Sequence, residues 1–317
     1  MPTPVRGIGV DVGGTKIAAG VVDEHGEVLT RSRVESPATD ADRIVAAIID
    51  AVEQLGGVRD GVAVGVGAAG LVDLDGVVHY APNLAWRGVP LRALLEDALG
   101  VPVSVDNDGN AAAWAEFSAG AAAGARDSAV MVTLGTGVGG GLVLSGALQR
   151  GAHGLGAELG HLIVQEGGRR CGCGNLGCLE AYASGTAIGR IAEDARTAGE
   201  VPSGSPLDRA TLTGADVGRA AAAGDPSARA VLATCGTWLG VGLASISNAL
   251  DPEVIVIGGG AAAAGQPLLG PARDALTARL MGAGYRPPPR VVTAAFGADA
   301  GLIGAALLAA VPTASQE

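Results

Sequence analysis

Aromatic residues are scarce in this chain: Phe, Trp and Tyr together make up 3% of its 317 residues. Its cores must therefore be built from Val, Leu, Ile and a great deal of Ala. Lysine is rarer still, Lys16 being the one lysine among 21 Lys and Arg residues. Positive charge is in deficit overall, 21 basic against 32 acidic side chains, for a net charge of −11. An open surface of that sign repels polyanions, so no nucleic-acid partner is expected, although a local site can still hold a nucleotide. Long apolar runs are missing too. The stretch 302–311 is about half of what a bilayer requires and reads as a buried helix. The N-terminal residues lack the charged start, apolar core and cleavage site of a signal peptide. No membrane partner is expected, and the location is read as cytoplasmic. There thiols stay reduced and clustered cysteines more often hold a metal than each other.

What is present is a globular composition, 48% hydrophobic and 17% charged, at a length sufficient for two packed domains. The opening reads as a strand over 5–10, a turn at Gly13 and Gly14, a second strand over 17–22 and a turn at 24–26 into a third strand. Ile44, Ala47, Ile48, Ala51 and Leu55 recur at helical spacing over 40–55. A buried strand is expected over 61–67, a helix over 91–99, a strand over 101–105 and an Ala-rich helix over 109–123. At Ser128 the pattern restarts as AVMVTL, GTGVGGG and LVLSG, a strand, a glycine turn and a strand. This echo of the opening points to two related domains. Helices follow over 183–198, 215–223 and 226–250, then the strand and glycine loop VIVIGGG (254–260). A helix over 271–281, a strand over 291–295 and a last helix from 300 complete an α/β chain with mixed sheets.

Two stretches, 65–70 and 135–140, satisfy G-x-G-x-x-G, but that fingerprint must open a helix, and here turn-like and strand-like residues follow. A different reading suits Asp11-Val-Gly-Gly-Thr-Lys16. In a hairpin turn, Gly13 and Gly14 let backbone N–H groups approach an anion, Thr15 adds a hydroxyl and Lys16 a positive charge. Asp11 is placed to hold Mg²⁺ against phosphate oxygens. An ordinary hairpin turn is the plain alternative.

Three of the four cysteines fall within CGCGNLGC (171–178). With His161, the thiolates of Cys171, Cys173 and Cys178 supply the four N/S ligands of a closed tetrahedral zinc site, which marks the ion as structural. A disulfide would leave one of the three odd. Cys235, in a helical apolar stretch, reads as core. Glu158 and Glu180 flank the cluster and are either pinned acceptors for sugar hydroxyls or solvated loop charges. The triplet Asp106-Asn107-Asp108 either caps a helix or presents a carboxylate to a substrate.

The stretches DVGGTK (11–16), DNDGNAAAWAE (106–116), LGTGVGGG (134–141), GAELGH (156–161), CGCGNLGCLE (171–180) and VIVIGGG (254–260) together resemble the ROK family of sugar kinases and repressors, most closely its bacterial ATP-dependent glucokinases. They occur in family order, cover nearly the whole chain and show no departure at the motif positions. The resemblance implies a two-domain actin/hexokinase-like (ribonuclease H-like) fold with an interdomain active-site cleft. It places a small domain over 1–108, completed by the C-terminal helix of 300–317, and a large domain over 109–299 carrying the zinc. Asp108 matches the catalytic base. Gly70, Asn107, Asp108, Glu158, His161 and Glu180 match sugar-contacting positions, and His161 is also a zinc ligand. Asp11, Gly13, Gly14, Thr15 and Lys16 match one phosphate loop, and Gly135, Thr136 and Gly137 the second. Gly258, Gly259 and Gly260 fall where the nucleoside end of ATP is held. The implied partners are glucose and Mg-ATP, and the implied assembly is a homo-oligomer, dimer or tetramer.

Rivals follow from the same resemblance. A ROK kinase of mannose, fructose, N-acetylglucosamine or N-acetylmannosamine shares Glu158, His161 and Glu180. A repressor is disfavoured because the first hairpin begins at Val5, leaving no room for a helix-turn-helix. A polyphosphate-dependent kinase would need a basic track that is not visible.

Overall fold

The structure is a computed structural model that describes residues 5–58 and 62–310. Gly61, where a strand was expected to begin, and residues 311–317 of the expected C-terminal segment lie outside the described residues. The chain divides into two compact units, the first comprising residues up to Met131, Gly140–Ala157 and those from Ala294 onward. The second comprises Val132–Gly139 and Glu158–Thr293.

Strands β1 (Val5–Val12) and β2 (Lys16–Asp23) form the expected hairpin, and β3 (Val28–Glu35) pairs antiparallel with β2. At the second turn, Asp23 Oδ1 accepts the N–H groups of His25 and Glu27 at 2.9 and 2.8 Å. Helix α1 (Ala41–Glu53) is capped by Asp40, which accepts from the Arg43 N–H, and it buries Ile44, Ile48, Ala51 and Val52. Next come β4 (Ala63–Ala68), the short ribbon of β5 (Leu71–Val72) and β6 (Val78–Tyr80), then α2 (Leu91–Leu99) and β7 (Val103–Asn107). The ribbon was not anticipated, because two- and three-residue strands carry almost no periodic signal. Helix α3 (Asp108–Ser118) stops short of the expected residue 123. Its fully buried Glu116 accepts the Ala121 N–H at 2.8 Å, drawing the chain off the helical path.

The restart at residue 128 gives β8 (Ala129–Leu134), β9 (Val138–Leu144) and β10 (Ala147–Leu148). Neither G-x-G-x-x-G stretch opens a helix: Gly65 and Gly67 lie within β4, and Gly139 and Gly140 within β9. The helix expected over 183–198 is α5 (Gly185–Thr197), preceded by a single turn, α4 (Glu180–Ala183). Ser184 separates them because its hydroxyl caps α5 through the Ala187 N–H. Then follow α6 (Gly214–Ala222), α7 (Pro226–Leu250), β11 (Val254–Gly258), α8 (Gln266–Arg279), β12 (Arg290–Thr293) and α9 (Ala300–Ala309). Helix α8 begins earlier than expected, and Pro271 lies inside it. By length and composition α7 could cross a membrane, yet 61% of its most apolar 18-residue stretch is buried inside the protein.

The two larger sheets wind alike. One runs β3-β2-β1-β4-β7 and the other β10-β9-β8-β11-β12, so first, second, third, fourth and fifth strands occupy corresponding places. The echo read in the sequence is thus an echo of topology. The boundary between the compact units differs from the one expected at residue 108. Helix α3 goes with the first unit because its Ala115 shares a buried cluster with Leu302, Ile303, Ala306 and Leu307 of α9, and the segment 140–157 goes with it, Gly140 and Gly141 lying against Gly109 of α3.

Helix α9 lies directly on the strands, which glycines permit. A Cβ at Gly9 of β1 would overlap the Leu302 carbonyl, and one at Gly65 of β4 the Ala305 carbonyl. With so few aromatics, backbone proximity does the packing that large rings do elsewhere. Gly9→Ala should therefore lower the unfolding free energy by about 1–3 kcal/mol. Urea denaturation reads this directly, and an unchanged midpoint would show that α9 can retreat without loss.

Candidate active site and metal centre

In the first unit, the candidate carboxylate stands where β7 runs into α3. Asn107 is the N-cap: its Oδ1 accepts the N–H groups of Gly109 and Asn110 at 2.8 and 3.1 Å. Its Nδ2 donates to the Gly70 carbonyl at 2.9 Å, which ties two expected substrate-binding positions together. The capping reading of this triplet holds: Asn107 is the N-cap, and Asp108 is the first helical residue. Asp108 Oδ1 accepts the Gly109 N–H at 2.9 Å. Its carboxyl keeps some access to solvent but is densely surrounded by protein. That burial pushes its pKa up, and the helix N-terminal N–H only partly offsets the effect.

Asp11 lies near the end of β1. Burial, then the negative charge of Asp108, push its carboxyl up to about 7; Lys16 acts in the opposite sense and Asp299 in the same. A desolvated carboxylate near others of like charge suits a divalent cation held by oxygen ligands. The Gly13 N–H donates to the Lys16 carbonyl at 3.1 Å, closing the turn, and Thr15 is exposed at its tip.

In the second unit, one ligand atom each from His161, Cys171, Cys173 and Cys178 lie within 4.8 Å of one another. Cys171 Sγ is 3.7 Å from His161 Nδ1, and Cys173 Sγ is 3.6 Å from Cys178 Sγ, with all four cysteines free. A tetrahedron with metal–sulfur bonds of about 2.3 Å has edges of roughly 3.8 Å, so this spacing is that of ligands around an ion. Burial pushes the Cys171 thiol up to about 12, and the carboxylate of Glu180, 3.4 Å away, adds to the effect. Three thiols and a carboxylate this close can ionise together only around a cation. The group is compatible with structural zinc.

The flanking carboxylates are not solvated alike. Glu158 is exposed, with its Oε2 4.0 Å from His161 Nε2. Because His161 turns Nδ1 to the thiols, a metal bound there leaves Nε2 carrying the proton and facing outward as a donor. Glu180 begins α4, and its Oε2 accepts the Val138 N–H at 3.0 Å. A Cβ at Gly137 would collide with that carboxylate. Glu180 therefore joins the cysteine cluster to the second glycine turn, a link that 42 residues of sequence separation conceal.

Gly135, Thr136 and Gly260 line a cavity of about 870 Å³ in the same unit, with Thr186, Arg190 and Glu193 of α5. Thr186 Oγ1 donates to the Thr136 carbonyl at 2.8 Å. Gly259 packs against the Leu134 backbone, and Gly258 ends β11 in the core, so only Gly260 of that triplet reaches the cavity. The α5 side chains were missed by sequence reasoning, because an amphipathic helix gives no sign of which polar residue faces a hollow. Arg150 was missed as well; it meets Asp106 across 44 residues.

Comparison with known proteins adds an independent line. A profile described as the ROK family matches residues 7–311. A glucokinase from Streptomyces coelicolor is 43% identical over 317 residues, covering 96% of this chain and 98% of that protein. An N-acetylmannosamine kinase from Yersinia pseudotuberculosis is 34% identical over 306 residues, covering 96% of this chain and 98% of its own length. The crystal structure of a ROK family glucokinase from Streptomyces griseus, in complex with glucose and AMPPNP, superposes with a TM-score of 0.83. It is 42% identical and covers 95% of this chain and 98% of that one.

The state of Asp11 gives a stability prediction with a definite sign. Its carboxyl titrates near 3.8 when unfolded and near 7 when folded, so the native state holds the proton more tightly. Stability is full below the lower value, declines as pH rises between the two, and levels off above the higher. In chelator, Asp11→Asn should gain about 2–4 kcal/mol over the wild type between pH 4 and pH 8. Urea midpoints at both pH values test this, and a constant difference would contradict the desolvated state.

Proposed function

The chain belongs to the ROK family, with its two-domain actin/hexokinase-like fold, and from that premise we propose that it transfers the γ-phosphoryl group of ATP to the 6-hydroxyl of glucose. The observation that carries the reading is Asp108, a carboxylate kept basic by burial at the mouth of α3. It accepts the proton of the sugar hydroxyl as that oxygen attacks phosphorus in line. Burial raises its pKa, which suits a group that must take up a proton. Asn107 and Gly70, joined by their hydrogen bond, support the sugar beside it.

Glu158, His161 and Glu180 bind sugar hydroxyls, with the Nε2–H of His161 as donor and the carboxylates as acceptors. The turn of Gly13, Gly14, Thr15 and Lys16 and the turn of Gly135, Thr136 and Gly137 hold phosphate oxygens. The cavity beside Gly260 has the size of a nucleoside site. Asp11 is the residue that would hold Mg²⁺, whose contribution when bound is to neutralise charge on the phosphate oxygens. His161, Cys171, Cys173 and Cys178 would hold zinc as a structural ion, since four protein ligands leave no open position. Reduced thiols serving as ligands fit a cytoplasmic enzyme, working as a homo-oligomer at the entry of glucose into glycolysis.

A second reading keeps the mechanism and changes the sugar. It is favoured by the N-acetylmannosamine kinase relative, which matches over nearly the whole chain. ADP production with Mg-ATP and a panel of hexoses and N-acetylhexosamines separates the two, since preference for an acetylated sugar would replace glucose. On the preferred substrate, Asp108→Asn should lower kcat by about 10²–10⁴-fold with little change in sugar affinity. Near-normal turnover would rule out this base. Elemental analysis should find one zinc per chain, lost in Cys173→Ser together with more sugar affinity than nucleotide affinity. Unchanged sugar binding in verified zinc-free protein would remove the supporting role.

A further inference from the structure

Beside the candidate base lies an ion pair that no motif announces. Arg150 Nε donates to Asp106 Oδ2 at 2.7 Å, with side chains only 15% and 12% exposed. The other oxygen, Asp106 Oδ1, accepts both the Asn107 N–H and Asn110 Nδ2 at 2.8 Å. One carboxylate therefore grips the backbone one residue before Asp108 and a side chain two residues after it. Asn110 is itself 1% exposed, so its amide cannot swing out to water as a substitute anchor. Arg150 is held in turn, its carbonyl accepting the Gly156 N–H at 2.8 Å.

We propose that Arg150, acting through Asp106, is a positioning residue that fixes the orientation of the Asp108 carboxylate. The inference rests on Asp108 being the base. The physical reason is that Asp106 can stay folded inward only while its charge is matched. Without the guanidinium, a poorly solvated carboxylate must rotate toward water. In doing so it releases the Asn107 N–H and the Asn110 amide, and the strand-to-helix turn loosens. Asp108 remains present and ionisable, but a displacement of about 1 Å at a reacting group can cost on the order of 10²-fold in rate. Sugar and nucleotide affinity depend on other side chains and should be spared. Lys at 150 restores the charge but not the geometry of a planar fork, so it should recover activity in part.

The test is steady-state kinetics on the full chain with Mg-ATP and the preferred sugar, with sugar Kd measured by calorimetry. Arg150→Met should lower kcat by about 10–100-fold with both KM values and the sugar Kd within about threefold of wild type. Arg150→Lys should recover at least a third of the lost logarithm of rate. Asp106→Asn, which keeps the shape of the side chain, should fall in the same range. The double variant should be no slower than the slower single, because both act through one contact. Should Arg150→Met fail to fold, Arg150→Lys and Asp106→Asn decide the matter on the same criteria. Normal kcat in these variants, or losses that appear in KM or multiply in the double variant, would overturn the proposal. Asp108→Asn run alongside keeps the two ideas apart. If it retains turnover, the base assignment fails; if it is dead while Arg150→Met and Asp106→Asn are normal, only the positioning role fails.

Discussion

Asp11, Asp106, Asp108, Glu116 and the thiols of Cys171 and Cys178 all place acidic groups where water is scarce, and each is handled by a different neighbour. Glu116 accepts three backbone N–H groups, those of Ala121, Ala295 and Phe296, which together satisfy a carboxylate that has no access to solvent. Asp106 is matched by Arg150. The thiols, with Glu180 beside them, form a group whose charge a metal ion would balance. Asp11 and Asp108 are the carboxylates whose desolvation protein groups oppose only in part, so their pKa values are pushed upward. That contrast marks Asp11 and Asp108 as the candidates for reaction or cation binding.

The near absence of large aromatic side chains shapes how this is built. Helix α9 approaches β1 and β4 closely enough that side chains at Gly9 and Gly65 would overlap its backbone. Such packing leaves little tolerance for movement, which suits elements that carry Asp11 and border Asp108. The same economy recurs at Gly137, where the missing side chain is the room taken by Glu180. A contact of that kind makes one carboxylate answer both to the cysteine cluster and to the glycine turn.

Much of this was legible in the sequence, for reasons particular to each residue. The four candidate metal ligands announce themselves because thiols and imidazole are rare here and lie within eighteen residues of each other. The glycine turns were readable because a hairpin requires them, and Asn107 because a helix requires a cap. The halves echo each other because the order of strands, repeated in both sheets, is written as repeated spacing. What misled was local pattern without its surroundings. Alanines up to residue 123 promised a longer α3, but a buried Glu116 draws the chain aside at Ser118. Pro271 looked like the start of a helix and stands inside one.

By itself the sequence determined the chemistry available: one lysine in a glycine turn, a carboxylate after an asparagine cap, three thiols and an imidazole within eighteen residues, and a fold of two echoing α/β halves. These are properties of residue type and short spacing, which the chain carries whatever its conformation. Tertiary structure alone decided which of its 32 acidic residues are desolvated and which find partners within the protein. Desolvation and Coulomb interaction depend on distance through space, and the groups concerned are far apart along the chain. Arg150 stands 44 residues from Asp106, Val138 42 from Glu180, and Phe296 180 from Glu116. No spacing rule reaches that far, and only the folded chain brings each charge to its partner or leaves it without enough of one.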